Sequence, residues 1–141
     1  MKQTKTAQVV TENVQLEFVD PQGEATSIEA DLVFDPADPY AVTMVFRTGV
    51  QEVLWTFGRE LLIEGRYAPT GDGDVHVWPC LSSEGAAVVI IELCSPDGEL
   101  LVQADSRSVQ HFVPDVLVSV PEGQESTFVD FDDELTSLLS A

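Results

Sequence analysis

Residues 31–46 read DLVFDPADPYAVTMVF and place two Asp-Pro pairs between two apolar runs. The run that leads into the first pair, SIEADLVF (27–34), alternates apolar and polar residues, as a half-buried strand does. The run after the second pair, AVTMVFRT (41–48), alternates in the same way. Proline cannot donate to a strand ladder and pushes the preceding residue towards extended or turn geometry, so DPADPY (35–40) predicts a rigid loop between two strands. A metal site at these aspartates would need several more oxygen ligands, and the neighbouring sequence offers no clustered set.

Strand patterns continue on both sides of this loop. Alternation predicts strands within QVVTENVQLEFV (8–19), DVHVWP (74–79) and LLVQAD (100–105). The segment AAVVIIEL (86–93) is nearly continuous apolar, which is typical of a strand covered on both faces. SPDGEL (95–100) has proline and glycine where a β-turn favours them, so the last two strands are predicted to form a hairpin.

Two internal segments change from strand to helix periodicity. From Thr56 to Tyr67 the apolar period is near 3.6 residues, and Thr56 is the predicted N-cap. SRSVQHFV (106–113) predicts a short helix with Ser106 as its cap. Between them, GDGD (71–74) lacks the acid spacing of a calcium loop and predicts a tight helix-to-strand connection.

The C-terminal segment, DFDDELTSLLSA, predicts an acidic amphipathic helix at about 130–140. Phe131, Leu135 and Leu138 fall on one face at helical spacing, and the acids of the first turn suit the helix dipole. This apolar stripe either covers the protein's own sheet or docks in a partner's groove.

The order of these elements predicts an α+β fold. Strands followed by a helix occur twice, at about 1–67 and 72–141, with no linker between the two halves. We therefore expect a single domain, 1–141, in which both halves share one core.

Composition excludes several classes of function. The net charge is −19, from 25 acidic and 6 basic residues, which opposes binding to nucleic acid or to anionic membranes. No apolar run approaches the roughly 20 residues of a membrane span, so no direct membrane insertion is expected. The N-terminus has no signal-peptide core, which predicts a cytoplasmic protein.

The reactive side chains form no known catalytic or metal-binding motif. Cys80 and Cys94 are predicted to lie at unopposed positions of one hairpin, and we expect both to be reduced core residues. His76 and His111 have no neighbouring nucleophile in an elbow motif, and zinc, phosphate-loop and dinucleotide motifs are absent. The sequence therefore predicts no enzyme activity, no cofactor and no metal.

Several motifs, taken together and in order, resemble those of the SsgA-like proteins of actinomycetes, small regulators of sporulation-associated cell division. The resemblance covers nearly the whole chain, and the acidic C-terminal ending is most similar to the SsgB branch. The motifs are FDPADPYAV (34–42), VLWTFGRELLIEG (53–65), GDGDVHVWP (71–79), SPDGEL (95–100) and VPEGQE (120–125).

The resemblance carries expectations about fold and function. It implies two antiparallel β-sheets with helices, in a duplicated strands-then-helix layout like that of the whirly nucleic-acid binders. It also implies a protein without catalysis that recruits FtsZ to the division septum and promotes its assembly, together with an SsgA-type partner. The alternative is a whirly-type module that binds single-stranded nucleic acid, which the charge of −19 opposes.

Function through protein contacts predicts exposed aromatic residues and self-association. Tyr40, Trp55 and Trp78 are the candidate interaction residues of the body, since aromatic residues are enriched at interfaces. Phe131, Leu135 and Leu138 are the candidates of the tail. Core packing is the alternative role for each aromatic residue. We expect a homo-oligomer, a trimer or dimer, formed through exposed sheet edges.

Overall fold

The computed structural model of this 141-residue chain describes residues 7–96 and 98–129. The predicted helix at 130–140, with Phe131, Leu135 and Leu138, lies outside the described residues. No helix within the described ranges is long and apolar enough to cross a bilayer.

The described residues form eight strands and two α-helices, arranged as four strands and a helix, twice over. A 3₁₀ turn, Glu125–Phe128, follows the second helix. The elements are β1 (Val10–Val19), β2 (Ala25–Phe34), β3 (Ala41–Arg47), β4 (Glu52–Gly58), α1 (Arg59–Gly65), β5 (Thr70–Asp72), β6 (Val75–Leu81), β7 (Ala87–Ser95), β8 (Gly98–Asp105) and α2 (Ser106–Ser119). The predicted α+β class is confirmed.

The eight strands form one antiparallel sheet, and the expectation of two separate sheets is wrong. The strand order is β4-β3-β2-β1-β8-β7-β6-β5. β1 pairs with β2 along its whole length and with β8 over four residues, from Leu16 opposite Ala104 to Val19 opposite Leu101. This pairing joins the two four-stranded meanders because it satisfies backbone groups that would otherwise be left at two open edges.

The hydrophobic core lies on one face of this sheet, beneath the helices. Alternate residues of each strand point into it; Leu16, Leu32 and Met44 are fully buried. α2 packs on β1, β7 and β8, whereas α1 contacts strands at both ends of the sheet, β3 and β4 as well as β5 and β6. The sheet therefore curls around the helices.

Two strand predictions are confirmed in detail. In β6, Val75 and Val77 are buried, whereas His76 is exposed and Trp78 half-buried on the other face. In β7, all four residues from Val88 to Ile91 are buried, as the continuous apolar run predicts.

The DPADPY segment is the predicted rigid loop between β2 and β3. The backbone N–H of Ala37 donates to the Asp35 carboxylate at 2.9 Å, and the N–H of Asp38 donates to the Asp35 carbonyl at 2.9 Å. The N–H of Ala41 in turn donates to the Asp38 carbonyl at 3.2 Å. The Asp35 side chain thus stabilises the turn.

Thr56 is not a helix cap. It lies inside β4 opposite Thr43 of β3, and the two hydroxyl oxygens are 2.8 Å apart. α1 begins at Arg59 after Gly58, which provides no side-chain cap. Cross-strand pairing with β3 overrides the local helical periodicity at this point.

α2 is longer than the sequence predicts and has a different cap. The Asp105 carboxylate, rather than Ser106, accepts a hydrogen bond from the backbone N–H of Arg107 at 2.9 Å. The helix runs through Pro114 to Ser119. Packing of one apolar face against the sheet compensates for the backbone hydrogen bond that proline removes.

The two cysteines are unbonded, as predicted. Cys80 lies opposite Val88 and Cys94 opposite Glu99, so they are not neighbours across the strands. The expectation that both belong to the core is wrong, because Cys80 is exposed and Cys94 only half-buried.

Candidate protein-interaction surface

The three candidate aromatic residues of the body occupy different environments. Tyr40 ends the DPADPY loop and is 53% exposed. Its carbonyl accepts a hydrogen bond from the backbone N–H of Arg59 at 2.8 Å, which ties the loop to the start of α1. Trp55 on β4 and Trp78 on β6 are half-buried.

The fold does not bring these aromatic residues together in one patch. Trp55 lies opposite the fully buried Met44 and packs against the edge of the core. Trp78 lies opposite Ile90 on the other face of the sheet, in its distant half. Trp55 therefore has a packing role, and Tyr40 is the most accessible of the three.

Exposed apolar side chains that the sequence analysis did not single out lie along β4 and in the turn before it. This strand is at the end of the sheet and is paired with β3 alone among the described strands. Its side chains Val53 and Leu54 are 41% and 62% exposed, and Val50, in the turn before it, is 95% exposed. We call Val50, Val53 and Leu54 the β4 edge.

The two ends of the sheet differ in how they are protected. β5, at the opposite end, is only three residues long, and a very short edge strand offers little template for pairing with another chain. β4 has seven residues and exposed apolar side chains. A strand or an apolar face of another protein can therefore pack at the β4 edge.

A buried ion pair lies where β4 ends and α1 begins. Arg59, at the start of α1, is 1% exposed, and its Nη1 donates to the Val120 carbonyl at 2.8 Å. Its Nη2 lies 3.3 Å from Glu125 Oε2, within ion-pair distance, although this contact is not aligned as a hydrogen bond. The guanidinium also lies 5.5 Å from the centre of the Phe34 ring. Arg59 thus connects β2, α1 and the segment after α2.

Electrostatics around Arg59 are dominated by carboxylates. The pKa of Glu125 is lowered, mainly because its carboxylate accepts a hydrogen bond from the backbone N–H of Glu125 itself. The positive charge of Arg59 lowers this pKa further. The neighbouring Glu60 has a raised pKa because burial and the charge of Glu122 disfavour its ionised form.

Comparison with known proteins identifies the family. Residues 28–125 match the family model described as Streptomyces sporulation and cell division protein, SsgA. The chain therefore belongs to the SsgA family.

Within this family, the chain is similar in sequence to proteins named SsgB. It is 46% identical over 114 residues to the sporulation-specific cell division protein SsgB of Streptomyces coelicolor, covering 80% of this chain and 82% of that protein. It is 41% identical over 131 residues to SsgB of Frankia casuarinae, covering 92% and 91%.

Solved structures agree with the fold. The crystal structure of an SsgA-like sporulation-specific cell division protein from Thermobifida fusca superposes with a TM-score of 0.83 at 32% identity, covering 96% of this chain and 98% of that one. A second structure, from work in which mutations in SsgB correlate to longitudinal cell division during sporulation of Streptomyces coelicolor, gives a TM-score of 0.80 at 39% identity. It covers 89% of this chain and 99% of the other.

Proposed function

We propose that this chain is a regulator of sporulation-specific cell division that acts without catalysis. It recruits FtsZ to the division septum and promotes FtsZ assembly through protein contacts, together with an SsgA-type partner. The names of its relatives support the cell-division role. The observation that carries the contact mechanism is the β4 edge, a seven-residue edge strand with exposed apolar side chains.

Self-association makes a weak contact effective. A trimer or dimer that leaves β4 uncovered presents two or three copies of the β4 edge, and linked binding sites gain avidity by about 10²- to 10⁴-fold without any new contact. Such an oligomer can crosslink neighbouring FtsZ filaments. It works in the cytoplasm at the septum, and a second protein connects it to the membrane.

The direct test compares two exposed leucines. Leu54→Lys places a charge on the β4 edge, whereas Leu81→Lys makes the same change at the end of β6, where Leu81 is similarly exposed at 67%. We expect wild-type protein and Leu81→Lys to increase the amount of FtsZ that sediments with nucleotide, and Leu54→Lys to lose that effect. Light scattering on each variant reports the oligomeric state in parallel.

Two results would count against the proposal. If Leu54→Lys and Leu81→Lys increase FtsZ sedimentation equally, the β4 edge is not the contact. If wild-type protein has no effect on FtsZ over a range of salt and nucleotide, recruitment itself is wrong. Tight binding of single-stranded DNA with a steep salt dependence would instead favour the nucleic-acid alternative.

A further inference from the structure

Three side chains that can bind a metal meet on the outer face of the sheet, next to β5. His76 on β6 lies directly opposite Glu92 on β7, and Cys94 follows Glu92 by two residues on the same face. One ligand atom from each residue lies within 4.8 Å of the other two. His76 Nδ1 is 3.3 Å from Glu92 Oε1.

A glycine on the edge strand fixes the direction in which the imidazole faces. Gly71 on β5 lies opposite His76, and a Cβ at this glycine would stand 2.3 Å from His76 Cδ2. The imidazole therefore occupies space that any side chain at position 71 would fill. Because Cδ2 and Nδ1 lie on opposite sides of the ring, this placement turns Nδ1 towards β7, where Glu92 and Cys94 lie.

The contact between His76 and Glu92 has a spacing that suits two ligands of one metal ion. In the neutral tautomer that carries its proton on Nε2, the Nδ1 lone pair of His76 is free to bind a metal. The separation of 3.3 Å between His76 Nδ1 and Glu92 Oε1 is longer than the roughly 2.7–2.9 Å of a charge-assisted N–H···O bond. It is close to the roughly 3.3 Å between nitrogen and oxygen ligands of a tetrahedral zinc ion.

We propose that His76, Glu92 and Cys94 bind a divalent transition metal of the zinc type, with water as the fourth ligand. Imidazole, thiolate and carboxylate are the donors of tetrahedral zinc sites, whereas Mg²⁺ and Ca²⁺ prefer oxygen alone. Tetrahedral bonds of about 2.0–2.3 Å separate ligand atoms by roughly 3.3–3.8 Å, so the donors move together by up to about 1 Å. Glu92 and Cys94 are half-buried surface side chains that can rotate to close this gap.

Carboxylates near Cys94 favour a cation at this site. Glu99 lies opposite Cys94 on β8, and Asp74 lies beside it, because the Asp74 carbonyl accepts the Cys94 backbone N–H at 2.8 Å. Together with Glu92, these acidic residues make the surroundings of the three donors negative, which attracts a metal cation.

A bound metal would link β6 to β7 beside the short edge strand β5. It binds the folded chain, which alone holds the three ligands together, so it raises the melting temperature in proportion to the logarithm of its concentration. Sequence analysis predicted no metal site because His76 lies sixteen residues from Glu92 and the three residues fit no zinc-binding motif.

The test is a Co²⁺ titration of the full chain with a reductant that contains no thiol. An excess of Mg²⁺ occupies oxygen-only sites, which this acidic chain offers in number. We expect one equivalent of Co²⁺ to bind with a thiolate-to-cobalt absorption band, and Zn²⁺ to displace it. Cys94→Ser should abolish the band. It should also weaken binding by at least roughly 10- to 100-fold, because even the loss of a hydrogen-bond partner of a metal ligand has an effect of that size.

Two further variants separate this site from other ligands. Cys80→Ser removes the other, exposed cysteine and should change neither the band nor the affinity. Gly71→Ala keeps all three donors but displaces the imidazole, and should weaken binding while the circular dichroism spectrum stays unchanged. Equal binding by wild-type protein and Cys94→Ser, binding without a thiolate band, or no binding at all would each overturn the proposal.

Discussion

Replacing Arg59 by methionine tests whether the buried ion pair holds the first helix to the segment after α2. Methionine has a similar length and keeps the contact with Phe34, so the change removes charge and hydrogen bonding without a large cavity. Arg59 is 1% exposed, and its partner Glu125 is 8% exposed. After the substitution the Glu125 carboxylate remains buried without its counter-charge.

The magnitude follows from the two contacts that are lost. Removing one member of a buried ion pair costs about 3–5 kcal/mol. The buried Val120 carbonyl also loses its donor, which by itself costs about 1–3 kcal/mol. The two losses overlap, and Glu125 keeps a hydrogen bond from its own backbone N–H. We therefore expect the free energy of unfolding to fall by about 3–5 kcal/mol and the melting temperature by roughly 10–20 °C.

Denaturant unfolding followed by tryptophan fluorescence measures this change, with two companion variants. Arg47→Met removes a guanidinium that pairs with Asp31 and Glu52 at the surface, where its side chain is 39% exposed, and should change stability little. The double variant Arg59→Met/Glu125→Met removes the unpaired charge and should recover most of the loss, to within about 2 kcal/mol of wild type.

The stability cost of Arg59→Met should depend on pH, which a loss of packing alone would not produce. Because the pKa of Glu125 is lowered in the folded protein, its contribution is present above the ordinary carboxylate pKa and is lost as the pH falls through the folded value. The cost of Arg59→Met should therefore shrink from pH 7 to pH 3. A cost below about 1 kcal/mol at pH 7, or a double variant less stable than the single one, would refute the reasoning.

Four further substitutions test other parts of the fold by thermal or denaturant unfolding. Gly65→Ala, whose Cβ would meet Val77 Cγ1 at 2.2 Å, should cost about 1–3 kcal/mol, whereas Gly58→Ala, with its nearest atom at 4.0 Å, should be tolerated. Glu60→Gln should raise the melting temperature at pH 7 but not at pH 4, because the raised pKa makes the ionised carboxylate unfavourable in the folded state. Pro114→Ala should stabilise the protein by roughly 1–2 kcal/mol, because it restores a backbone hydrogen-bond donor inside α2. The greater conformational entropy of the unfolded chain without proline offsets only part of this gain.

Patterns that depend on neighbours in sequence predicted most strands correctly. The alternation of Val75, His76, Val77 and Trp78 fixes which side chains face the core whatever strand lies beside them. The turn at DPADPY is equally local, because it depends on the Asp35 side chain and on two prolines.

Predictions failed where a distant contact decides the structure. The apolar residues that follow Thr56 have helical spacing, but the pairing of Thr56 with Thr43 keeps Thr56 in a strand. Asp105 and Ser106 are both good caps, and only the geometry at the end of β8 selects the aspartate. The pairing of β1 with β8 joins segments more than eighty residues apart, so no local pattern could show that one sheet forms rather than two.

The candidate interaction residues show the same limit. Exposed aromatic residues were a reasonable prediction for interfaces in general, and Tyr40 is exposed. The β4 edge was missed because the sequence analysis assigned a helix from Thr56 onwards, and only the strand order shows that β4 lies at the end of the sheet. The proposed metal donors are equally hidden in the sequence, since strand register places His76 opposite Glu92.

The charge of the chain favours the β4 edge over other surfaces for contact with proteins. A partner that covers most of this acidic surface must neutralise or desolvate carboxylates, and charged residues are depleted from the centres of interfaces. Along β4 the only acidic residue is Glu52, which is already paired with Arg47. Val53 and Leu54 project from opposite faces of the sheet, so a partner strand added beside β4 can cover both at little electrostatic cost. A chain with a net charge of −19 gains most from protein contact at the longer edge strand of its described sheet, where Arg47 partly offsets the charge of Asp31 and Glu52.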